Sequence, residues 1–298
     1  MRLPRSSLSP SWSGSRGATL SRSRRPDRSA PSARPDRPAR HPRANRAAVE
    51  GPRLRPNEHA VPGERAVLEL LRGEPRRVRK LLIEAEREFA EITELAVAAR
   101  IPVQVVDREV HEALIGPGLA RGVLALAEPP RSWDIEDLLT RDDGPKTRRG
   151  HRLLVACDGI QDPHNFGAVI RSAEFFGAGG VIWARDRSAP LSPAAVRSSA
   201  GASERVPLCP VTNLARALEQ AKRGDWWVIG TVVDEGQPLL ELAADPPAAM
   251  VVVLGSEGTG LRRLTRERCD FLTTIDGAGS LGSLNVSAAA AVTLALLG

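Results

Sequence analysis

Three short stretches carry the residue types that could do chemistry. The first, Asp158-Gly159-Ile160-Gln161-Asp162-Pro163-His164-Asn165-Phe166-Gly167, follows an apolar run at 153–157 and leads into a helix expected over 168–176. Asn165 falls where an N-cap is expected, and its side-chain oxygen could accept an orphan backbone N–H. Capping alone would account for it. Arg171 is different, because it lies off the apolar stripe of Val169, Ile170, Ala173 and Phe176. Helix side chains lean toward the N-terminus, so its guanidinium is expected to point back at the loop. Loops at the C-terminal ends of strands are where open α/β sheets bind ligands. An arginine aimed there suits a phosphate or a developing oxyanion.

The second stretch, Gly255-Ser256-Glu257-Gly258-Thr259-Gly260, follows the apolar run 250–254. Its glycines let backbone approach a ligand closely. Glu257 adds one carboxylate, which suits an amine-bearing or cationic ligand, and the absence of a Lys-Ser/Thr pair excludes a P-loop. The third stretch runs from Asp276 to Gly282 after a strand at 271–275. Gly277-x-Gly279-x-x-Gly282 spells the dinucleotide fingerprint, but that motif opens a βαβ unit and needs an acid ~20 residues on. Sixteen residues follow Gly282, none of them acidic. Ser283 is expected to cap the last helix, which is apolar nearly all round and therefore buried in a core or a dimer interface. Two glycine turns ending two adjacent strands describe a small-molecule site built largely from backbone.

Alternating patterns supply the scaffold. Residues 57–129 show helical spacing at Val67, Leu70 and Leu71, then a strand at 78–83, a helix over 84–100, a strand at 102–106, a helix at 108–115 and a strand at 122–126. That is a small α/β unit, with Arg72, Arg76, Arg77, Arg79 and Lys80 forming either a solvated face or an RNA patch. Residues 130–150 are polar, with a short amphipathic piece at 133–139, and are expected to link two domains. From 151 to 298, repeated strand–helix alternation implies a mostly parallel sheet covered on both faces.

Composition narrows the function classes. Residues 1–55 hold fourteen arginines, no lysine and three acids (Asp27, Asp36, Glu50), a charge of +11, whereas 56–298 carry 28 basic and 33 acidic residues, or −5. The first 56 residues cannot bury enough surface to fold and are expected to be disordered. A solvated extension, an RNA-contacting arm and an organellar transit peptide all fit that composition, the first being favoured. Cys157, Cys209 and Cys269 show neither pairing nor zinc spacing, which favours a reducing compartment such as the cytoplasm, and the five histidines show no metal-like spacing. No apolar run approaches the ~20 residues of a membrane span. Aromatic residues are 3% and Tyr is absent, so a base-stacking platform is not expected.

The three stretches, with Ser283-Leu284-Asn285-Val286-Ser287 closing the third, resemble the three ordered motifs of the SpoU/TrmH (SPOUT) family of RNA ribose 2′-O-methyltransferases. Ser199-Ala200-Gly201-Ala202 also looks familial, and residues 62–128 resemble the L30-like RNA-binding domain of the branch acting on 23S rRNA guanosine. The resemblance implies a dimeric, S-adenosylmethionine-dependent enzyme with a C-terminal trefoil knot, a feature otherwise essentially absent from proteins. It implies that Asn165, Arg171, Glu257, Ser283 and Asn285 serve catalysis. Leu254, Gly255, Ser256, Gly258, Gly260, Ile275, Gly277 and Leu284 would hold the cofactor. The sequence departs from the family at Asp276-Gly277, where Pro-Met is usual, and at Ala120-Arg121, where His-Gln is usual. Arginine is too basic to surrender its proton cheaply, so Arg171 is expected to clamp a developing alkoxide and the adjacent phosphate. Other targets (tRNA or an rRNA adenosine), a non-catalytic RNA-binding relative and, distantly, a dinucleotide oxidoreductase are the alternatives; cofactor binding separates the last two from the enzyme.

Overall fold

The computed structural model describes residues 53–298. The expectation of a disordered tail therefore falls almost wholly outside the described residues. The described residues belong to one compact unit that carries two sheets.

The smaller sheet comprises β1 (His59–Pro62), β2 (Val78–Glu84), β3 (Val103–Val106) and β4 (Val123–Ala127) in the order β1-β4-β2-β3. Only the β2–β3 pairing is parallel. Helices α1 (Glu64–Gly73) and α2 (Ala90–Ala98) cover one face through Val67, Leu70, Leu71, Ile92 and Ala96, and α3 (Arg108–Ile115) lies on the other. The helix expected over 84–100 is shorter than its pattern suggested. Glu84 still pairs with Val106 as the last residue of β2, and a turn at 85–86 intervenes. The expected basic cluster is partly neutralised. Arg72 pairs with Glu69 and Glu91, Arg79 with Glu128, and Arg77 turns inward.

The larger sheet has seven parallel strands in the order β7-β6-β5-β10-β8-β11-β9. They are β5 (Arg152–Asp158), β6 (Gly180–Ala184), β7 (Leu208–Val211), β8 (Trp227–Val232), β9 (Gln237–Pro238), β10 (Ala249–Gly255) and β11 (Phe271–Thr274). Period-two alternation sorts β5 and β10 between two cores. Leu153, Val155, Cys157, Met250, Val252 and Leu254 face α5 (Pro163–Phe175), α8 (Leu239–Ala244) and α10 (Val286–Leu297). Leu154, Ala156, Val251 and Val253 face α4 (Ile135–Thr140) and α7 (Leu214–Arg223). Part of the stretch expected to be a linker thus packs, through Leu138 and Leu139, into the second core. α6 (Pro193–Ser198) and α9 (Arg263–Arg266) complete the helices. Among the described residues no helix is long and apolar enough to cross a membrane.

One expectation needs correction. β10 and β11 are not neighbours, because β8 pairs with both and lies between them. Strand order is set by crossovers, which local patterning does not encode. Of the last helix, Ala290, Thr293, Leu294 and Leu297 are buried in the single chain, while Ala288, Val292 and Ala295 are exposed.

α6 forms the seam between the two sheets, with Val196 packed into the smaller sheet's core. Beside it the side chain of Glu204 is buried, accepting from His59 Nε2 at 3.2 Å and facing Arg77 Nη1 at 3.0 Å. Burial raises the Glu204 carboxyl, but His59 and Arg77 outweigh it and hold the group below its ordinary value of 4.5. A depressed carboxylate contributes stability that is complete above its unfolded value and is lost as pH falls through the folded one. Urea unfolding across pH 7 to pH 3 should therefore show a loss on the acid side that is reduced in Glu204→Gln. An unchanged acid slope in the variant would remove Glu204 as its source.

α5 and α6 cross unusually closely at Gly167. A Cβ there would lie 2.2 Å from the Ala195 carbonyl oxygen and 2.7 Å from Ser198 Cβ. Gly→Ala in a helix ordinarily gains about 1 kcal/mol, whereas overpacking costs about 1–3 kcal/mol; the atom struck first is backbone and cannot rotate away. Gly167→Ala is expected to lower the thermal midpoint. A raised midpoint would mean the helices separate at little cost.

Candidate active site

All strands of the large sheet are parallel, so the ends of β5, β10, β8 and β11 share one edge. The three chemistry-bearing stretches leave from that edge. The loop after β5 is short, because α5 begins at Pro163 rather than near 168. Asp162 is its N-cap and accepts from the His164 N–H at 2.8 Å. Pro163 suits N1, where no N–H is needed. Asn165 is thus the third helical residue and not the cap, so its amide is released for other work.

That work is visible in the hydrogen bonds. Asn165 Nδ2 donates to Glu257 Oε1 at 2.5 Å. Asn285 Nδ2 donates to the same oxygen at 2.8 Å and to Asn165 Oδ1 at 3.1 Å. Asn285 Oδ1 accepts from the backbone N–H of Ser287 at 2.9 Å and from its hydroxyl at 2.6 Å. Asn285 is therefore both the N-cap of α10 and the third corner of a triangle drawn from all three stretches. The expected cap, Ser283, is exposed two residues earlier and makes no side-chain hydrogen bond among the described residues. Its hydroxyl is not part of the triangle.

Glu257 sits in a turn whose geometry demands glycine. β10 ends at Gly255, and Ser256 and Gly260 exchange backbone hydrogen bonds at 3.1 and 2.9 Å. Gly258 and Gly260 have φ of 86° and 63°, where glycine is favoured. Gly277, in contrast, lies in open space in an exposed loop, as does the neighbouring Gly279. Leu254 is buried, Ile275 packs against the core and Ser256 is half-buried, its hydroxyl 2.6 Å from that of Thr259. Leu284 stands exposed on the third loop.

Two residues that motif reasoning passed over hold the loops together. Asp158, buried at the end of β5, accepts from the Arg262 backbone N–H at 2.7 Å, and the Arg262 Nη2 donates to the Arg187 carbonyl at 3.2 Å. A carboxylate closing an otherwise apolar strand was the available signal. The end of β8, with Thr231 Oγ1 donating to the Val253 carbonyl at 3.1 Å, also lies between the two glycine-rich loops.

Arg171 lies on α5, six residues after Asn165. It is exposed and, among the described residues, forms neither an ion pair nor a hydrogen bond. A rigidly mounted helix thus carries a cation whose charge the protein leaves uncompensated. Such a group favours an anion that arrives from outside. The backbone-lined edge of β10, β8 and β11, with buried Leu254 and exposed Leu284 beside it, fits an adenosine-bearing cofactor, which needs backbone polar groups and an apolar cover more than charge.

Comparison with known proteins places this geometry. Residues 152–295 match the SpoU rRNA Methylase family, and residues 60–133 match the RNA 2′-O ribose methyltransferase substrate binding model. The chain is 42% identical over 240 residues to a 23S rRNA (guanosine-2′-O-)-methyltransferase, RlmB, of Pseudomonas aeruginosa, covering 78% of this chain and 93% of that one. The RlmB of Ralstonia nicotianae is 38% identical over 236 residues, covering 78% and 92%. Among solved structures, the SpoU methyltransferase AviRb of Streptomyces viridochromogenes in complex with the cofactor AdoMet is similar, with TM-score 0.67 and 28% identity over 81% of this chain and 89% of that chain. On these likenesses, the chain belongs to the SpoU family of RNA ribose 2′-O-methyltransferases.

Proposed function

We propose that this S-adenosylmethionine-dependent RNA ribose 2′-O-methyltransferase acts on one guanosine of 23S rRNA, in the cytoplasm where ribosomes are built. The observation that carries the site assignment is the Asn165–Glu257–Asn285 triangle, with the uncompensated Arg171 on the same helix six residues after Asn165. The relatives' shared target supports the choice of guanosine. S-adenosylmethionine, when bound, supplies an electrophilic methyl group. Leu254, Gly255, Ser256, Gly258, Gly260, Ile275, Gly277 and Leu284 would hold it, largely through backbone. Asn165 and Asn285 orient the target nucleotide, with Glu257 fixing both amides. Arg171 stabilises the negative charge that builds on the ribose oxygen and on the neighbouring phosphate as the hydroxyl proton leaves. Ser283 joins when the third loop closes over its ligands.

Residues 57–129 serve as an L30-like RNA-binding domain, 130–150 as the connection and 151–298 as the methyltransferase domain, with the third loop and α10 threaded as a trefoil knot. The working form is a homodimer. What supports this is the outer face of α10, where Val292 is 36% exposed, together with α5, where Phe175 is 78% exposed; the two helices pack together. A charge there cannot be buried unpaired. Val292→Glu should run as a monomer in light scattering; a dimer of wild-type mass would move the interface elsewhere.

Titration of S-adenosylmethionine and S-adenosylhomocysteine by calorimetry tests the cofactor assignment. Micromolar binding of both is the expected result. No binding of either by a folded protein would overturn it.

A further inference from the structure

The small sheet has a groove that the catalytic assignment does not use. It lies on the face away from α1 and α2, between β2, β3 and α3, and its volume is about 480 Å³. That is within the ~300–1,000 Å³ of ordinary ligand sites. Its floor is apolar: Leu82, Val106 and Leu126 from the strands, Val110 and Leu114 from α3. Its rim is cationic. Arg53, Arg55, Arg79 and Lys80 line it against one acid, Glu58, whose carboxylate already accepts from the Arg55 backbone N–H at 3.0 Å. Arg79 reaches Glu128 only at 3.4 Å, and Lys80 reaches the Gln104 side-chain oxygen only at 3.5 Å.

The sequence produces this arrangement through a local irregularity. The β2–β4 register shifts between Val78 and Lys80. The shift brings Lys80 beside Leu126, on the same face as Leu82, while Val78 and Leu81 stay in the opposite core. A lysine thereby stands over an apolar floor.

An apolar slot ringed by cations, with one exposed amide (Gln104) at its lip, matches a particular chemistry. A nucleobase is flat and apolar on its faces and carries hydrogen-bonding groups on its edge, and in a chain it is flanked by phosphates. RNA is read with sequence specificity mostly through unpaired, splayed-out bases. We propose that this groove takes one unpaired nucleotide of the substrate RNA, its base on the Leu82–Leu126 floor and its flanking phosphates on Lys80, Arg79 and Arg55. The site is separate from the methylated nucleotide and selects the RNA rather than the reacting ribose. The proposal rests on the methyltransferase reading for the identity of the ligand as RNA, but not for its test.

The test uses the full chain and a 23S rRNA fragment, with affinity measured by fluorescence anisotropy over a range of salt and without cofactor. Val110→Trp fills the groove and leaves every charge in place. It should weaken binding at least 10-fold with the salt dependence unchanged. Lys80→Gln and Arg79→Gln should each weaken binding and lower the salt slope by about 1, as loss of a phosphate contact does. Thermal midpoints near that of the wild type establish that each variant is folded. Wild-type affinity in folded Val110→Trp would overturn the proposal, even with the two charge variants weakened, because the rim alone would then be acting as a nonspecific basic patch. Failure of the methyltransferase reading would appear instead as no methyl transfer by the wild type, and would leave the binding comparison intact.

Discussion

Replacing Arg171 by alanine should lower single-turnover methyl transfer by about 10²–10³-fold, the cost of removing one preorganised donor from a developing oxyanion. The affinity for S-adenosylmethionine should stay near that of the wild type. The separation follows from where the residue sits. Arg171 is on α5, after β5, whereas the glycine turn that would hold the cofactor follows β10. It is exposed and supports no other side chain among the described residues, so its removal costs the fold little. A lysine in its place should recover only part of the rate, since a point charge does not reproduce the planar fork. Equal losses in rate and cofactor affinity, by single-turnover assay and calorimetry, would contradict the clamp role.

Gly255→Ala should do the reverse and act on the cofactor. A Cβ at this position would lie 2.4 Å from the Gly260 carbonyl carbon, 2.6 Å from the Leu261 nitrogen and 2.8 Å from the Gly260 oxygen. All three are backbone atoms, so no side chain can swing aside. The bonds between Ser256 and Gly260 must open, and the turn carrying Glu257 must shift by an ångström or so. Displacements of that size cost about 100-fold where a ligand is held by geometry, and a loss of that order in S-adenosylmethionine affinity is expected by calorimetry. The overpacking penalty of about 1–3 kcal/mol is small enough to leave the protein folded. Wild-type affinity in a folded variant would mean that this turn does not hold the cofactor.

Much of the fold was legible because it is local. The apolar run Leu153–Cys157 was readable as a strand, and the structure divides its residues alternately between two cores, as a strand covered on both faces requires. Helix 108–115 was readable at both ends. The start of α5 was misread although Asp162-Pro163 is an N-cap followed by a favoured N1 residue; the polar run through Asn165 looked like loop. β9 is two residues long and holds its place only by pairing with β11, which no periodicity can announce.

The site divides in the same way. Asn165, Glu257 and Asn285 stood out by motif, but nothing local says that one carboxylate oxygen receives both amides across 92 and 28 residues of chain. The capping argument took Ser283, and Asn285, two residues on, is an equally competent cap by residue type; only the formed helix shows that Asn285 Oδ1 takes the Ser287 N–H. Insertion of β8 between β10 and β11 is likewise a property of the crossovers. Glu204 illustrates the same limit, since its partners His59 and Arg77 lie more than a hundred residues upstream.

The central claim is methyl transfer to one ribose oxygen in ribosomal RNA. Its most direct test is incubation of the purified protein with S-adenosylmethionine and unmodified 23S rRNA, followed by nucleotide-resolution mapping of 2′-O-methyl groups. A single new 2′-O-methyl group on one guanosine, absent with Arg171→Ala over the same time, is the predicted result. Methylation on a base, on tRNA alone, or nowhere in the presence of bound cofactor would contradict the account.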